Sequence, residues 1–395
     1  MILCLPEQDA ASAPADVVPL HRDAFGGRLQ IVCLPDRRRA LGFFRELGAV
    51  VRMLDRLIDE STHRSFAIGG LFGDWGAVAA LRANRKRVDA SVWADRVESQ
   101  VTRFAADRAR GPRRLLRRTT ALAMKHYERF VIRRSALGLF HGADCFAEYA
   151  AFSPSPHLVH NIHLSESARI APAALAAKVA RPAGPLRIVY AGRAHADKGV
   201  FDWIETLADA ARRGVAFDAT WYGDGPELDA ARAAVRAVEL DARIAFHGAL
   251  HDRAALMARI GEADLFLFCH KTPESPRCLI EALISGTPIV GYDSNYPRDL
   301  IGGHGGGLLT EGEPQALADA VARLAGDRAL LGRLVRDAAA DGYPFTDTEV
   351  FRHRSNLIKA GTASSSHSRD TSLRSVARPP RSAPWAGTPD RARSR

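Results

Sequence analysis

The sequence predicts an α/β protein of two Rossmann-like domains with a cleft between them, and three observations carry that reading. The chain has 395 residues, 47% hydrophobic and 25% charged, more than one hydrophobic core usually organises. From Leu186 onward, short apolar runs alternate with helical patterns, the signature of a parallel sheet covered on both faces. The loops that end these runs are rich in glycine and fixed charge, and ligands of such sheets bind outside the carboxyl ends of the strands.

The elements follow in chain order. MILCLPE reads as a strand, and EQDAASAPADVVPLHR follows it without a glycine-rich loop. FAIGGLFGDWGAVAALRANR (66 to 85) reads as strand, glycine-rich loop and helix, with Asp74 as a helix cap. DASVWADRVES (89 to 99) is the next strand and its loop. Residues 108 to 134, RARGPRRLLRRTTALAMKHYERFVIRR, read as a helix of mixed arginine and apolar positions. Such a helix can lie on an anionic membrane surface; a solvated helix face is the plainer alternative. In the second half, LRIVYA (186 to 191) leads through GRAHADKG into a helix from Val200 to about Arg212. FDATWYG, RIAFHG, DLFLFC and TPIVGY repeat the strand at 217, 243, 264 and 287. The expected division is a first domain over 1–171, a linker over 172–185, a second domain over 186–345, a helix over 346–359 that returns to the first domain, and a disordered basic tail over 360–395.

Charge and cysteine usage exclude several classes. The formal charge is +10, but residues 363–395 alone hold seven arginines against two aspartates. That Ser/Pro/Arg-rich tail has few apolar residues and is expected to be disordered. No aromatic-plus-basic module appears, so a nucleic-acid partner is not expected. The five cysteines (Cys4, Cys33, Cys145, Cys269, Cys278) form no Cys-x-x-Cys pair, so neither a zinc site nor a disulfide framework is indicated. No basic leader opens the chain and no run reaches about 18 apolar residues. A cytoplasmic protein, touching the inner face of the cell membrane at most through 108–134, is the expectation.

The chemistry concentrates at strand ends. Gly192, Arg193, His195, Asp197, Lys198 and Gly199 follow the first strand of the second half; two cations beside glycines that admit close backbone approach suit a phosphate or diphosphate. Gly223-Asp224-Gly225-Pro226 is a tight turn that either contacts a ligand or serves conformation alone. In HKTPESPRCLIEALISGTPIVGYDS (270 to 294), Ser275 is a good N-cap, Pro276 a good first helical residue and Gly286 a plausible stop. The helix is therefore expected over about 276–285, with its tip facing the cleft as an anion site. Glu281 then lies about 7 Å along the axis. A carboxylate in an apolar helix is costly to bury unless something hydrogen-bonds it. A ribose diol beside a diphosphate at the helix tip would do so, and a salt bridge to a neighbouring arginine is the alternative.

In this order and spacing, AGRAHADKG, YGDGPE, FHGAL and ESPRCLIEALISGTPIVGY resemble the donor domain of GT-B glycosyltransferases of family 4, over residues 186 to about 345. The resemblance implies a retaining transferase that uses a nucleotide sugar without a cofactor or obligatory metal. It implies phosphate binding by Arg193 and Lys198 and ribose binding by Glu281, with Gly192, Gly223, Ser275, Pro276 and Arg277 around the donor. Glu274, Arg193 and Lys198 would carry the catalysis. The family commonly places its first glutamate eight positions before the second; here Glu274 stands seven before Glu281 and Pro273 holds the eighth. The first half would take a sugar or lipid-linked acceptor. The histidines often found at such strand ends are missing here, which leaves Asp74, Asp95, Arg96 and Glu98 as acceptor-side candidates, with caps and surface ion pairs as their alternative. The opening without a glycine-rich loop is consistent with a first domain that lacks its first βα unit.

The expected function is therefore transfer of a sugar to a hydroxyl acceptor in bacterial polysaccharide or glycolipid assembly. A non-catalytic nucleotide-sugar-binding partner of another transferase and a GT-B nucleotide-sugar epimerase are the alternatives. An NAD-dependent oxidoreductase is disfavoured because no GxGxxG follows 186–191.

Overall fold

The structure, a computed structural model, describes residues 2–6, 26–36, 40–272 and 274–363. The opening loop, Pro273 and the basic tail beyond 363 lie outside the described residues.

The first domain begins with β1 (Ile2–Pro6) and β2 (Gln30–Leu34), a parallel pair. Next come α1 (Ala40–Glu60), β3 (Ser65–Ile68), α2 (Trp75–Arg85), β4 (Ser91–Ala94), α3 (Glu98–Asp107), α4 (Pro112–Arg133), β5 (Leu137–His141), α5 (Gly142–Tyr149) and β6 (Pro156–Val159). Strands β3-β4-β5-β6 form a parallel sheet in that order. In α1 the buried residues Phe43, Val50, Leu54 and Ile58 make one helical stripe, which packs with Trp75, Val78 and Ala79 of α2. The Trp75 indole N–H donates to the Pro35 carbonyl at 2.8 Å. The helix read over 108–134 is α4, and its exposed apolar residues are Leu115, Leu116, Leu122 and Phe130.

Positions 172–185, expected as a linker, hold a helix, α6 (Pro172–Val179). Its Lys178 ammonium donates to the Gly261 carbonyl at 2.9 Å and to the Thr287 hydroxyl at 2.6 Å. The second domain then runs β7 (Leu186–Ala191), α7 (Val200–Arg212), β8 (Phe217–Tyr222), α8 (Leu228–Ala237), β9 (Ile244–Gly248), α9 (Arg253–Glu262), β10 (Leu265–Phe268), α10 (Arg277–Ile284), β11 (Ile289–Tyr292), α11 (Asn295–Leu300), β12 (Gly307–Thr310), α12 (Pro314–Gly326) and α13 (Arg328–Gly342). Its six parallel strands are ordered β12-β11-β10-β7-β8-β9. Every residue of β10 and β11 is buried, as strands covered on both faces require. Finally α14 (Asp347–Ala363) returns to the first sheet, where Leu357 and Ile358 pack on Leu137, Leu139 and Val159.

Candidate active site

In the second sheet the chain winds outward from β7 through β8 to β9, then returns to β10 on the other side of β7. A crevice opens where the order reverses, at the carboxyl ends of β7 and β10. Residues 192–199, 269–272 and 274–276 line it. They are stitched together by the Lys271 amide, which donates to the Asp197 carbonyl at 2.8 Å. A third loop supports them from behind. Gly223, at φ +145°, lies where a Cβ would sit 2.0 Å from the Gly192 carbonyl. The Ala194 amide donates to the Asp224 carbonyl at 2.9 Å. Gly223 thus holds the first loop in place by backbone contact.

Two expected residues meet in the crevice. The Lys198 ammonium donates to both oxygens of Glu274, and each side chain is only 11% exposed. Burial pushes the Glu274 carboxyl above its usual range, more than Lys198 lowers it. Beside it, His270 Nε2 is 2.8 Å from the Tyr190 hydroxyl, and burial holds the His270 imidazole well below its usual value, so it is neutral. His195 Nδ1 is 2.5 Å from Asp197 Oδ1. Arg193 is exposed at the crevice edge.

Helix α10 points its start into this crevice. Ser275 does not cap it: Pro276 holds the cap position in an extended conformation and no side chain caps the helix. The Ser275 hydroxyl donates instead to the His141 carbonyl of the first domain at 2.7 Å. A tertiary partner outcompetes the local cap, and the first amides of α10 face the cleft without a side-chain acceptor. Arg277 is exposed at the first helical position. Further along, Glu281 is 4% exposed and its Oε1 accepts from Arg253 Nη2 at 2.8 Å. Burial raises the Glu281 carboxyl despite Arg253. The salt bridge is therefore present, and its arginine is half exposed.

The first domain faces the crevice with the end of β4 and the end of β5. Asp95 Oδ1 is 2.7 Å from His141 Nδ1. Burial raises the Asp95 carboxyl, but His141, Arg277 and Asn161 together outweigh it and leave it lowered. His141 is 1% exposed and its pKa is depressed by burial, partly offset by Asp95. Its Nε2 is buried without a hydrogen-bond partner among the described residues. Arg96 feels the charge of Glu274 across the cleft and donates through Nε to Glu98 at 2.6 Å. Asp74 is set apart. Its Oδ1 accepts from the Ala77 amide at 2.8 Å and its Oδ2 from the Gly69 amide at 2.9 Å, so one oxygen caps α2 and the other ties back the loop that leaves β3.

Residues 185–327 match the family described as "Glycosyl transferases group 1". The matched segment belongs to the group 1 glycosyl transferases. The chain is also similar to two Streptomyces proteins. One is the alpha-D-kanosaminyltransferase of Streptomyces kanamyceticus, 30% identical over 38% of this chain and 39% of that protein. The other is the 2-deoxystreptamine N-acetyl-D-glucosaminyltransferase of Streptomyces fradiae, 31% identical over 37% of this chain and 34% of that protein. The similarity thus spans well under half the length of either relative. The whole chain resembles the crystal structure of Anabaena Alr3699/HepE in complex with UDP, with a TM-score of 0.64 at 14% identity over 91% of this chain and 99% of that one. The fold is GT-B.

Against this group 1 domain, the first domain supplies a histidine that the sequence reading passes over. His141 ends LGLFH, a strand buried at all five positions, and Gly142 follows it. An apolar run that closes on a histidine also marks the cleft loop at DLFLFC-His270, so a signal for it exists. Arg253 carries none, because it reaches Glu281 from 28 residues away. Among the described residues no group of three or more His, Cys, Asp or Glu side chains is arranged to hold a metal ion, and no helix is long and apolar enough to cross a membrane.

Proposed function

We propose that the protein is a retaining glycosyltransferase that moves a sugar from a nucleoside-diphosphate donor to a hydroxyl acceptor, in the assembly of a bacterial polysaccharide or glycolipid. The observation that supports it most is convergence: Arg193, the Lys198–Glu274 pair, the uncapped start of α10 and Glu281 share one crevice, and Asp95, Arg96 and His141 face it from the other domain. In this reading the diphosphate lies at the start of α10 between Arg193 and Lys198, and the ribose hydroxyls donate to Glu281 once Arg253 turns outward. An arriving diphosphate gives the Lys198 ammonium a second anion and frees Glu274 to orient hydroxyls of the donor sugar.

The chemical step is electrostatic. As the bond from the anomeric carbon to the phosphate oxygen breaks, negative charge grows on the diphosphate, and Arg193, Lys198 and the α10 amides stabilise it without a metal. The acceptor oxygen bonds to the anomeric carbon on the face the diphosphate leaves, and its proton passes to the departing phosphate oxygen. Arginines and exposed leucines of α4 would rest on an anionic membrane surface.

The test is a thermal-shift panel of UDP, GDP, ADP and their sugars on wild type and Glu281→Ala. A ligand at 100 times its Kd adds about 2.7 kcal/mol, a shift of a few degrees. One nucleotide series should stabilise the wild type and fail on the variant, whose own melting point changes little because a carboxylate raised by burial is removed. An equal shift in Glu281→Ala would refute the ribose role, and no shift with any member would refute the donor site.

A further inference from the structure

A groove of about 740 Å³ lies beside the crevice, between α3 and α4 of the first domain and the Lys271–Thr272 segment of the second. Its charge is one-sided: Arg103, Arg118, Lys125 and Lys271 line it against Asp107 alone. Asp107 is held by Arg118 at 2.6 Å, and Lys271 by Asp202; the acid nearest Lys125 is Glu148, at 3.9 Å, and Arg103 is exposed. Phe104 and Leu122 supply apolar wall. Thr272 closes the inner end, its hydroxyl buried without a hydrogen-bond partner among the described residues.

The groove continues along α4. Leu115, Arg118, Leu122 and Lys125 recur at helical spacing and share one face. Leu115 extends that stripe a turn beyond Arg118 and is 67% exposed, and Leu122 is 57% exposed. One route therefore runs from the loop that carries Glu274, past a cluster of cations, to an exposed apolar ridge. A free sugar has no use for the cations, and a plain anion has none for the ridge.

We propose that this groove binds the acceptor, and that the acceptor is carried on a phosphate-linked lipid. Its phosphate sits among Arg103, Lys125 and Lys271, its chain leaves over Leu122 and Leu115, and the hydroxyl that accepts the sugar points past Thr272 toward Glu274. This rests on the transferase reading for the identity of the occupant as an acceptor.

Calorimetry with farnesyl diphosphate as probe tests it, with nucleotide at saturation so that the donor site is filled. The wild type should bind farnesyl diphosphate at least tenfold more tightly than inorganic diphosphate. Arg103→Gln/Lys125→Gln and Leu122→Asp should each weaken the probe at least tenfold while leaving the UDP, GDP or ADP affinity unchanged. Equal binding of inorganic diphosphate, or equal binding by the variants, overturns the proposal. So does capture on anionic vesicles by a chain that ignores the probe, which would make α4 a membrane contact only. Probe binding in a chain that takes no nucleotide would uphold the groove and remove the donor reading; the converse would remove the groove alone.

Discussion

Three buried glutamates show how one cost is met in three ways. Burial raises the carboxyls of Glu274, Glu281 and Glu128. Glu274 has a buried lysine and Glu281 a half-exposed arginine, partners that a ligand can draw away. Glu128, on α4 behind the groove, has no cation in that role: the Tyr149 hydroxyl donates to its Oε2 at 2.7 Å, while Oε1 is buried without a hydrogen-bond partner among the described residues. Its pKa is pushed up to about 7 from 4.5. The unfolded chain therefore sheds this proton first as pH rises, and stability falls between about pH 4.5 and 7. At about 1.4 kcal/mol per unit, the full penalty is on the order of 3 kcal/mol above pH 7. Glu128→Gln keeps an acceptor for Tyr149 and removes the titration. It should match wild type near pH 4.5 and melt several degrees higher at pH 8; melting curves that stay parallel across that range would refute the assignment.

At the scale of elements, the loops at the carboxyl ends of β7 and β8 work as a pair. Gly223 at φ +145° leaves no room for a side chain beside the Gly192 carbonyl, so Gly223→Ala should both strain the backbone and lift the loop over 192–199. Gly214 separates the two effects, since at φ +77° an added Cβ would meet nothing within 4 Å. Gly214→Ala should cost about 1 kcal/mol and Gly223→Ala about 2–4 kcal/mol, the latter also weakening nucleotide binding. Equal urea midpoints for the two would refute the interlock. These elements differ in how far sequence exposes them. Strands β7 to β11 are legible because apolar runs closed by glycine or polar loops repeat at βα spacing, and Asp74 announces the α2 cap by local chemistry. Strand β12 is not, because all four of its residues are half-buried at the sheet edge and follow no period. The Ser275 cap fails because intrinsic capping preference is overridden by a carbonyl of the other domain. Lys198 and Glu274 each stand out in the sequence, but their contact joins positions 76 apart, which spacing alone does not reveal.

At the scale of the molecule, the two domains meet on a seam directly beside the crevice. Gly142, at φ +72°, opens α5 where a Cβ would lie 2.2 Å from the Ser275 hydroxyl and 2.4 Å from the Tyr296 ring. The Tyr296 amide donates to Asp144 at 3.3 Å, and His160 Nε2 is 3.2 Å from Asp299. Because the proposed donor contacts belong to the second domain and the acceptor groove mostly to the first, this seam sets the distance between reacting atoms. Displacement by about 1 Å can cost 10²-fold in rate without touching a reacting group. Gly142→Ala should therefore keep nucleotide affinity within a factor of about two, since the clash falls on the Ser275 side chain and not on Arg193, Lys198 or Glu281, while kcat for transfer falls on the order of 10²-fold and small-angle scattering shows a larger radius of gyration. Loss of nucleotide affinity in step with turnover would mean the seam props up the donor site itself. Unchanged turnover would mean the domains find their working distance through some other contact, with α14, packed on β5 and β6, the next element to test.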